Sequence, residues 1–234
     1  MKKIGLVAGM GPEATVDYYM AIISHFKDRD NPPVYPEILL YSVNMWEFLE
    51  MMKQKEYDRA TDFLLARIEN LKDAGAEFAA LTANTPHLLF DALQQKSVLP
   101  LISIVEATCS KAIADKLQRP GLLGTGFTMK ADFYSRVFRK QGIDIVVPDL
   151  ADIEIINEKI FSEIELGIFN KETKDLLVGI IQKMVIRQHI DSIILGCTEL
   201  PLILTEKEYA GIPVLNTTSI HVQEIIHYCC GNPP

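Results

Sequence analysis

The chain has 234 residues, of which 48% are hydrophobic and 23% are charged, and this balance excludes a disordered or low-complexity protein. Its net charge of -8 at pH 7 excludes nucleic acid and anionic membrane surfaces as partners, because both require clustered lysine and arginine. No apolar run approaches the roughly 20 residues of a membrane span, and the early glycines do not fit a secretory signal, so we expect a cytoplasmic protein without membrane association.

The first element is a strand followed by a glycine-rich turn and a helix. Residues 3–8 form an apolar run, the turn GMGP follows at 9–12, and apolar residues recur at helical spacing over 13–27. Further strands are predicted at 37–42, 78–81, 101–104, 121–124, 143–147, 192–195 and 214–215, and further helices at 57–73, 105–117 and 176–188. Continuous apolar strands that alternate with helices predict an α/β fold with parallel sheets covered on both faces.

An internal repeat divides these elements into two halves. The segment IGLVAGMGPEATVDYY at 4–19 resembles PGLLGTGFTMKADFY at 120–134. Two polar strand ends follow at matching distances, since 74 positions separate Gly9 from Ala83 and 73 separate Gly124 from Cys197. The sequence therefore predicts two pseudo-symmetric, flavodoxin- or Rossmann-like α/β domains. Because ligands of open α/β sheets bind at the carboxyl ends of strands, we expect the site in the cleft between the domains.

Two crossover segments, 94–100 and 207–213, are predicted to connect the halves. We accordingly expect a first domain formed by residues 1–98 together with 208–234, and a second formed by residues 99–207. This division places the last strand and helix of the chain in the first domain.

Cys197 is the residue at which the apolar run 193–196 ends, directly before Thr198 and Glu199. A helix beginning there would direct its first N–H groups at the sulfur, which lowers a thiol pKa and favours thiolate. Many free cysteines serve only as small buried hydrophobic side chains, but the position after a strand-terminal glycine favours a reactive group. Ala83 occupies the equivalent place in the first half, so one strand end lacks such a group.

Polar residues beside these two positions are candidate ligand groups, with helix capping and turn formation as the structural alternatives. The candidates are Asn84, Thr85, Thr125, Thr198 and Glu199. With the N-termini of following helices, they would hold a carboxylate.

Two further groups of polar residues have competing interpretations. His87 either orients a ligand or relays a proton, or it is a structural histidine. Glu154, Glu158, Glu163 and Glu165 are expected to form a solvated helix face from which Glu163 points inward.

Neither a metal nor a nucleotide cofactor is expected. The turn at 9–14 lacks the Gly-Lys-Ser/Thr of a P-loop and matches the dinucleotide fingerprint only loosely, as GMGPEA. The four cysteines have no metal-ligand spacing, and the adjacent last pair would be strained as a disulfide. They are Cys109, Cys197, Cys229 and Cys230. Cys109 lies within a helical pattern, and we expect it to serve in packing.

Eight segments spread along nearly the whole chain carry a resemblance to a known family. They are GLVAGMGPEAT, LLYSVN, DAGAEFAALTANTPH, LISIVEA, GLLGTGFTMKADFY, FSEIELG, IILGCTELP and PVLNTTSIH. Together they resemble the cofactor-independent aspartate/glutamate racemases, within the broader aspartate, glutamate and hydantoin racemase superfamily. The resemblance implies two pseudo-symmetric α/β domains, an interdomain site, a homodimer, and no pyridoxal phosphate or metal.

The resemblance also implies a two-base mechanism on a small amino-acid substrate. One group removes the α-proton, and a second group returns a proton on the opposite face. Cys197 matches the second-half base. The residues implied or expected to surround the substrate are Met10, Met52, Asn84, Thr85, Thr125, Thr198 and Glu199.

Several positions depart from the family pattern. The first-half base, a Cys or Thr before Asn-Thr, is Ala83 here, whose methyl group can neither donate nor accept a proton. Thr82 is a poor substitute, because alternation along a strand turns it to the opposite face unless the strand end bends. Trp46 and Met52 stand where members that act on acidic substrates have polar or cationic partners, and Asn216 stands where Asp is common.

Three functions are consistent with this pattern. The expected one is an amino-acid racemase, an isomerase, whose activity is impaired or one-sided because Ala83 replaces a base. The second is a one-base cysteine enzyme, either a decarboxylase or an isomerase of a small carboxylate. The third is a non-catalytic protein that binds an amino acid or dicarboxylate, which Cys197 disfavours because binding alone does not require a thiol.

Overall fold

The structure, a computed structural model, describes residues 1–27 and 32–231. The chain divides into two units, one formed by Met1–Ile104 with the segment from His221 onward, the other by Val105–Ile220. In the described part of the chain, no helix is both long enough and apolar enough to cross a membrane.

The first unit alternates strands and helices in chain order. Its elements are β1 (Ile4–Ala8), α1 (Pro12–Lys27), β2 (Ile38–Ser42), α2 (Met45–Lys53), α3 (Tyr57–Asp73), β3 (Phe78–Leu81), a first 3-10 helix (Thr85–Leu89), α4 (Phe90–Lys96) and β4 (Leu101–Ile102). The four strands form a parallel sheet in the order β2-β1-β3-β4. Every residue of β1 and β3 is buried, as their continuous apolar sequences predict.

The second unit has the same alternation. Its elements are α5 (Ile104–Ala114), β5 (Pro120–Gly124), α6 (Gly126–Lys130), α7 (Phe133–Arg139), α8 (Leu150–Ser162), a second 3-10 helix (Ile164–Leu166), α9 (Lys171–Gln188), β6 (Ser192–Gly196), α10 (Leu200–Ile203), β7 (Glu208–Tyr209), β8 (Ile212–Asn216) and α11 (Thr217–Cys229). The sheet order is β5-β6-β8-β7, parallel except for β7. The division between the units falls after Ile220, so α11 continues into the first unit.

Each sheet is covered by helices whose apolar residues recur at regular spacing along one face. In α1, the buried residues Ala14, Tyr18, Ile22 and Phe26 recur every four positions and form one apolar face. This face joins β1 and the later turns of α11 in the core of the first unit. In the second unit, α8, α9 and β6 pack in one continuous core. The parallel α/β fold class expected from the sequence is therefore confirmed.

The internal repeat is visible in the strand order of the two sheets. The segment at Val146 forms a single parallel bridge to Gly121, at the free edge of β5. With this bridge included, the order of the second sheet up to β8 matches β2-β1-β3-β4 of the first. Under this match β3 corresponds to β6, so Ala83 and Cys197 each follow the same strand of their own unit.

Three expectations for the elements need correction. The strand predicted at 143–147 is reduced to the bridge at Val146, and the strand predicted at 101–104 ends at Ile102 because α5 begins at Ile104. The last strand, β8, pairs with β6 rather than with the first sheet, for example Leu215 with Ile194. It takes the place that β4 takes in the first sheet, which is why the second unit extends to Ile220 and not to 207.

Candidate functional site

One thiol of the second unit, that of Cys197, lies at the end of a fully buried strand. Every residue of β6 is buried, and Cys197 follows it with 5% of its surface exposed. Gly196 precedes the thiol, and a Cβ atom there would stand 2.8 Å from the carbonyl oxygen of Leu123 on β5. Glycine therefore lets the end of β6 approach β5 closely enough to hold Cys197 in this place.

Two carboxyl groups accompany the thiol. The Cys197 thiol donates a hydrogen bond to Oε2 of Glu199 over 3.1 Å, and the Thr198 hydroxyl donates to the same oxygen over 3.1 Å. Oε1 of Glu165 lies 3.9 Å from the sulfur. Glu199 is 1% exposed and Glu165 is 9% exposed, so the whole group is shielded from water.

Glu165 reaches the thiol because the chain turns sharply after α8. It lies in the second 3-10 helix, which ends at Gly167 in the left-handed conformation with φ of 72°. Glu163 accepts hydrogen bonds from Lys159 and Thr173 and so anchors the start of this turn. We expected Glu165 on a solvated face with Glu163 pointing inward, but Glu165 is the residue that lies at the thiol.

Burial is the main cause of the shifted pKa values of Cys197 and Glu165. Burial, then Glu199, then Glu165 raise the pKa of the Cys197 thiol well above its ordinary value. Burial and then Glu199 raise the pKa of Glu165 to about 8. A backbone hydrogen bond from Glu199 lowers the thiol pKa, as expected for a helix start, but its effect is smaller than that of burial. The expectation of a thiolate is therefore wrong for this structure, in which the thiol is protonated at neutral pH.

Thr125 caps a helix beside this strand end. Gly124 of β5 pairs with Gly196 of β6, so Thr125 and Cys197 each follow a residue of the same pair. The Thr125 hydroxyl accepts a hydrogen bond from the backbone N–H of Thr128 over 3.2 Å and thereby begins α6. The structural alternative for Thr125 is thus realised, while its place beside Cys197 matches the position expected of a ligand group.

The start of α11 is hydrogen-bonded to β6. The Thr217 hydroxyl donates to the carbonyl oxygen of Leu195 over 2.7 Å, which ties α11 to the strand. Asn216 accepts a hydrogen bond from the backbone N–H of Ser219 over 3.0 Å. Asn216 therefore acts as a cap at the start of α11.

In the first unit, Ala83 occupies the strand end that corresponds to Cys197. It follows β3 and is 5% exposed. Thr82 is fully buried, and its hydroxyl lies 3.5 Å from the carbonyl oxygen of Val7 on the neighbouring strand. The Thr82 hydroxyl thus lies against the neighbouring strand, and the methyl group of Ala83 carries no proton to transfer.

His87 is a structural histidine. Its Nδ1 lies 2.9 Å from the carbonyl oxygen of Ala83, and its Nε2 accepts a hydrogen bond from the backbone N–H of Ile104 over 3.2 Å. Burial, followed by the neighbouring His221, lowers the pKa of His87 to about 3. The neutral ring therefore links the end of β3 to the start of α5, and the proton-relay alternative is not supported.

The remaining candidates of the first unit lie in different settings. Met10 follows β1, the strand next to β3, and is 6% exposed. Asn84 and Thr85 follow Ala83 and are 3% and 8% exposed. Met52 lies in α2 with 1% of its surface exposed, packed as a core residue. The structure thus places Met10, Asn84 and Thr85 at the carboxyl edge of the first sheet. Met52 instead lies within α2 as a buried core residue.

The glycine-rich turn after β1 is shaped by its own hydrogen bonds. Gly9 has φ of 84°, and a Cβ atom there would stand 2.6 Å from the carbonyl oxygen of Val43. The Thr15 hydroxyl accepts from the backbone N–H of Gly9 over 2.9 Å and donates to the carbonyl oxygen of Gly11 over 2.8 Å. The Thr15 hydroxyl therefore bridges the two glycines of the turn and holds its shape.

The sequence identified Cys197, Thr198 and Glu199 but missed Glu165 as a member of the group. The signal available was the segment FSEIELG, in which Glu165 precedes a Leu-Gly pair that ends a helical turn. The segment shows that the turn ends there. It does not show that the turn packs against β6.

Comparison with known proteins gives consistent results. The chain matches the family described as Asp/Glu/Hydantoin racemase over residues 7–225. It is 26% identical over 223 residues to the broad specificity amino-acid racemase RacX of Bacillus subtilis (strain 168), covering 92% of this chain and 93% of that protein.

Two solved structures are similar along nearly the whole chain. A putative Asp/Glu racemase from Yersinia pestis is 34% identical with a TM-score of 0.88, covering 98% of this chain and 100% of that one. An aspartate racemase homologue from Pyrococcus horikoshii OT3 is 34% identical with a TM-score of 0.83, with the same coverage of 98% and 100%.

Proposed function

The chain belongs to the Asp/Glu/hydantoin racemase family, and on that premise we propose that it is an amino-acid racemase that transfers protons at the α-carbon without pyridoxal phosphate. The observation that carries this proposal is the buried thiol of Cys197 hydrogen-bonded to Glu199. A buried free thiol requires no such partner for packing alone. Its contact with two carboxyl groups supports a role in moving a proton.

In this proposal Cys197 works on one face of the substrate in both directions. As an acid, the protonated thiol gives its proton to the α-carbanion and becomes a thiolate. As a base, it first passes its proton to Glu199 over the 3.1 Å hydrogen bond and then removes the α-proton. The raised pKa of the thiol makes the thiolate a strong base once formed, which suits a weakly acidic α-proton.

The substrate proposed is a small amino acid or a related dicarboxylate. Met10, Asn84 and Thr85 of the first unit and Thr125, Thr198 and Glu199 of the second are proposed as its surroundings, at the carboxyl edges of the two sheets. Met52 is proposed only as a core residue, because it lies within α2 and not at the carboxyl end of a strand. The homodimer that the family resemblance implies and the cytoplasmic location expected from the sequence belong to the same proposal.

Ala83 favours a one-sided reaction. With a methyl group at the first-half position, no side chain there returns a proton to the opposite face. A missing general acid or base typically lowers a rate by about 10²- to 10⁴-fold. The second candidate function, a one-base cysteine enzyme that protonates or deprotonates a small carboxylate on one face, rests on this same substitution.

Exchange in D₂O tests the proposal. Each D- and L-amino acid of a broad panel is incubated with the enzyme, and the deuterium content and the enantiomer ratio are followed together. We expect α-deuterium to enter one enantiomer much faster than inversion occurs, and Cys197→Ser to lose this exchange. Cys109→Ser, a change at a buried thiol in α5, is the matched control and should retain it.

One further result would decide against the one-sided reaction, and another would decide against the racemase function. Equal exchange and inversion of both enantiomers would show that a second base is present despite Ala83. Absence of exchange with every amino acid, together with ligand binding that survives Cys197→Ser, would favour the non-catalytic binding function.

A further inference from the structure

Three buried side chains of the second unit present metal-ligating atoms to one point. One carboxylate oxygen of Glu165, the sulfur of Cys197 and one carboxylate oxygen of Glu199 all lie within 4.8 Å of one another. Cysteine spacing alone did not indicate this group, because two of its members are glutamates from separate segments. The folded chain therefore contains a mixed sulfur and oxygen donor set that the sequence pattern conceals.

The distances fit a tetrahedral ion. A Zn²⁺ ion with a bond of about 2.3 Å to sulfur and about 2.1 Å to oxygen separates those two ligand atoms by about 3.6 Å. The sulfur of Cys197 is 3.1 Å from the nearer oxygen of Glu199 and 3.9 Å from that of Glu165. These two distances lie on either side of the tetrahedral value, so adjustments of a few tenths of an ångström suffice.

An independent observation concerns the second oxygen of Glu165. Oε2 of this side chain is buried and has no hydrogen-bond partner among the described residues. The residue as a whole is 9% exposed, so little water reaches it. A buried carboxyl oxygen without a hydrogen-bond partner is costly, and a cation bound beside it would satisfy it once the group has lost its proton. Oε1 of the same carboxyl group lies 3.9 Å from the sulfur, so the carboxyl group that carries the unpartnered oxygen is a member of this cluster.

The surrounding residues hold these ligands in place. The Thr198 hydroxyl donates to the oxygen of Glu199 that faces the sulfur, and Glu163 fixes the turn that carries Glu165 through its bonds to Lys159 and Thr173. Such outer contacts orient ligands in metal sites. A thiolate with two carboxylates suits Zn²⁺ or Cd²⁺ and does not suit Mg²⁺ or Ca²⁺, which prefer oxygen donors only.

We propose that Glu165, Cys197 and Glu199 form a binding site for a thiophilic divalent cation of the Zn²⁺ or Cd²⁺ class, and that the bound ion inhibits proton transfer. On binding, the S–H bond of Cys197 and the O–H bond of the Glu165 carboxyl group break, both protons leave to solvent, and the electron pairs left on sulfur and oxygen form bonds to the metal. Three negative ligands then face a double positive charge in a buried site. The inhibitory part rests on the proposed racemase function, whereas the binding part does not.

Cadmium binding tests the site directly. The metal-stripped Cys230→Ser protein, which lacks the exposed thiol, is titrated with Cd²⁺ while the ultraviolet thiolate-to-cadmium charge-transfer band is recorded. We expect saturation at one ion per chain, with Zn²⁺ displacing Cd²⁺. In the same background Cys197→Ser should abolish the band, and Glu165→Gln, which keeps the side-chain volume, should weaken binding at least about tenfold by equilibrium dialysis.

Cys109→Ala removes another buried thiol of the second unit and should leave the titration unchanged. A band that persists in Cys197→Ser, or an affinity that Glu165→Gln leaves unchanged, would overturn the site. Absence of saturable Cd²⁺ binding at micromolar protein would do the same.

Inhibition is measured separately through α-deuterium exchange of the metal-free enzyme. We expect Zn²⁺ to stop the exchange and a chelator to restore it. If Cd²⁺ binds as described but the metal-free enzyme exchanges no amino acid, the proposed function fails and the metal site stands. If exchange proceeds and Zn²⁺ has no effect at saturating occupancy, the inhibitory role is wrong while the racemase function stands.

Discussion

The Cys197 thiol donates a hydrogen bond to Glu199, two residues later in the chain, over 3.1 Å. Cys197 follows β6 directly and Glu199 directly precedes α10, so both side chains lie in the short segment between the strand and the helix. Both are almost fully buried. A thiol in this position keeps its proton until a partner accepts it, and Glu199 is the nearest acceptor.

Removing the negative charge beside the thiol should lower its pKa. Glu199 raises the thiol pKa more than Glu165 does, so Glu199→Gln should lower it further than Glu165→Gln. The measurement is the pH dependence of iodoacetamide alkylation of Cys197, followed by peptide mass spectrometry with a chelator present. Glu158→Gln removes an equal charge from the exposed face of α8 and should change nothing. A larger effect from Glu165→Gln would contradict the ranking.

A thiol placed at position 83 should allow proton transfer on both faces of the substrate. If proton return on the opposite face limits the reaction, Ala83→Cys should raise the racemisation rate by about 10²- to 10⁴-fold. Chiral chromatography of both enantiomers provides the measurement. Ala83→Val, close to cysteine in size but without a proton to transfer, is the matched control and should gain nothing. Unchanged racemisation in Ala83→Cys would show that position 83 does not limit the reaction.

The sequence predicted the elements whose signal is local. The apolar runs at 3–8, 78–81 and 192–195 became β1, β3 and β6, because a fully buried parallel strand needs continuous apolar residues. Cys197 was located at a strand end by the same signal. Its role as a base remains a prediction.

The features that the sequence missed depend on contacts between distant segments. Glu165 meets Cys197 only because the turn after α8 packs against the end of β6, a pairing that no local pattern encodes. The direction of the thiol pKa was also missed, since it follows from burial rather than from the adjacent helix start. The place of β8 was missed because its pairing with β6 joins strands that are far apart in the chain.

The buried histidines should make the protein less stable in acid. Burial, together with His221, lowers the pKa of His87 to about 3, and burial lowers that of His221 to about 4. The unfolded chain therefore binds more protons than the folded chain below pH 6.5, so stability is complete above that value and is lost as the pH falls. At pH 5 the loss is about 2 kcal/mol for each histidine.

Urea unfolding at pH 7.5 and at pH 5.0 measures this dependence. In His87→Gln the hydrogen bonds to Ala83 and Ile104 are disrupted, so stability at pH 7.5 should fall by about 1–3 kcal/mol while the pH dependence becomes shallower. The control is His25→Gln at an exposed position of α1, which should leave both quantities unchanged. If the free energy of unfolding of His87→Gln still falls as steeply between pH 7.5 and pH 5.0, groups other than His87 cause the pH dependence.

Two glycines of the second unit should respond in opposite directions to alanine. At Gly196 a Cβ atom would stand 2.7 Å from Cδ1 of Leu122 and 2.8 Å from the carbonyl oxygen of Leu123, so Gly196→Ala must force β5 and β6 apart. We expect a loss of about 1–3 kcal/mol in the free energy of unfolding, because overpacking in a core has this cost. The displacement should also move Cys197, which follows directly, and reduce α-deuterium exchange more than the loss of stability explains.

Gly179 is the matched control, since it lies in α9 and a Cβ atom there meets nothing within 4 Å. Gly179→Ala should stabilise the protein by about 0.5–1 kcal/mol, because alanine has the higher helix propensity and restricts the unfolded chain. Its exchange activity should equal that of the parent. Urea unfolding of both variants, with exchange measured under folding conditions, separates the two effects. Equal stability changes in the two variants would show that the close approach at Gly196 has no stability cost, and unchanged exchange in Gly196→Ala would show that it does not position the thiol.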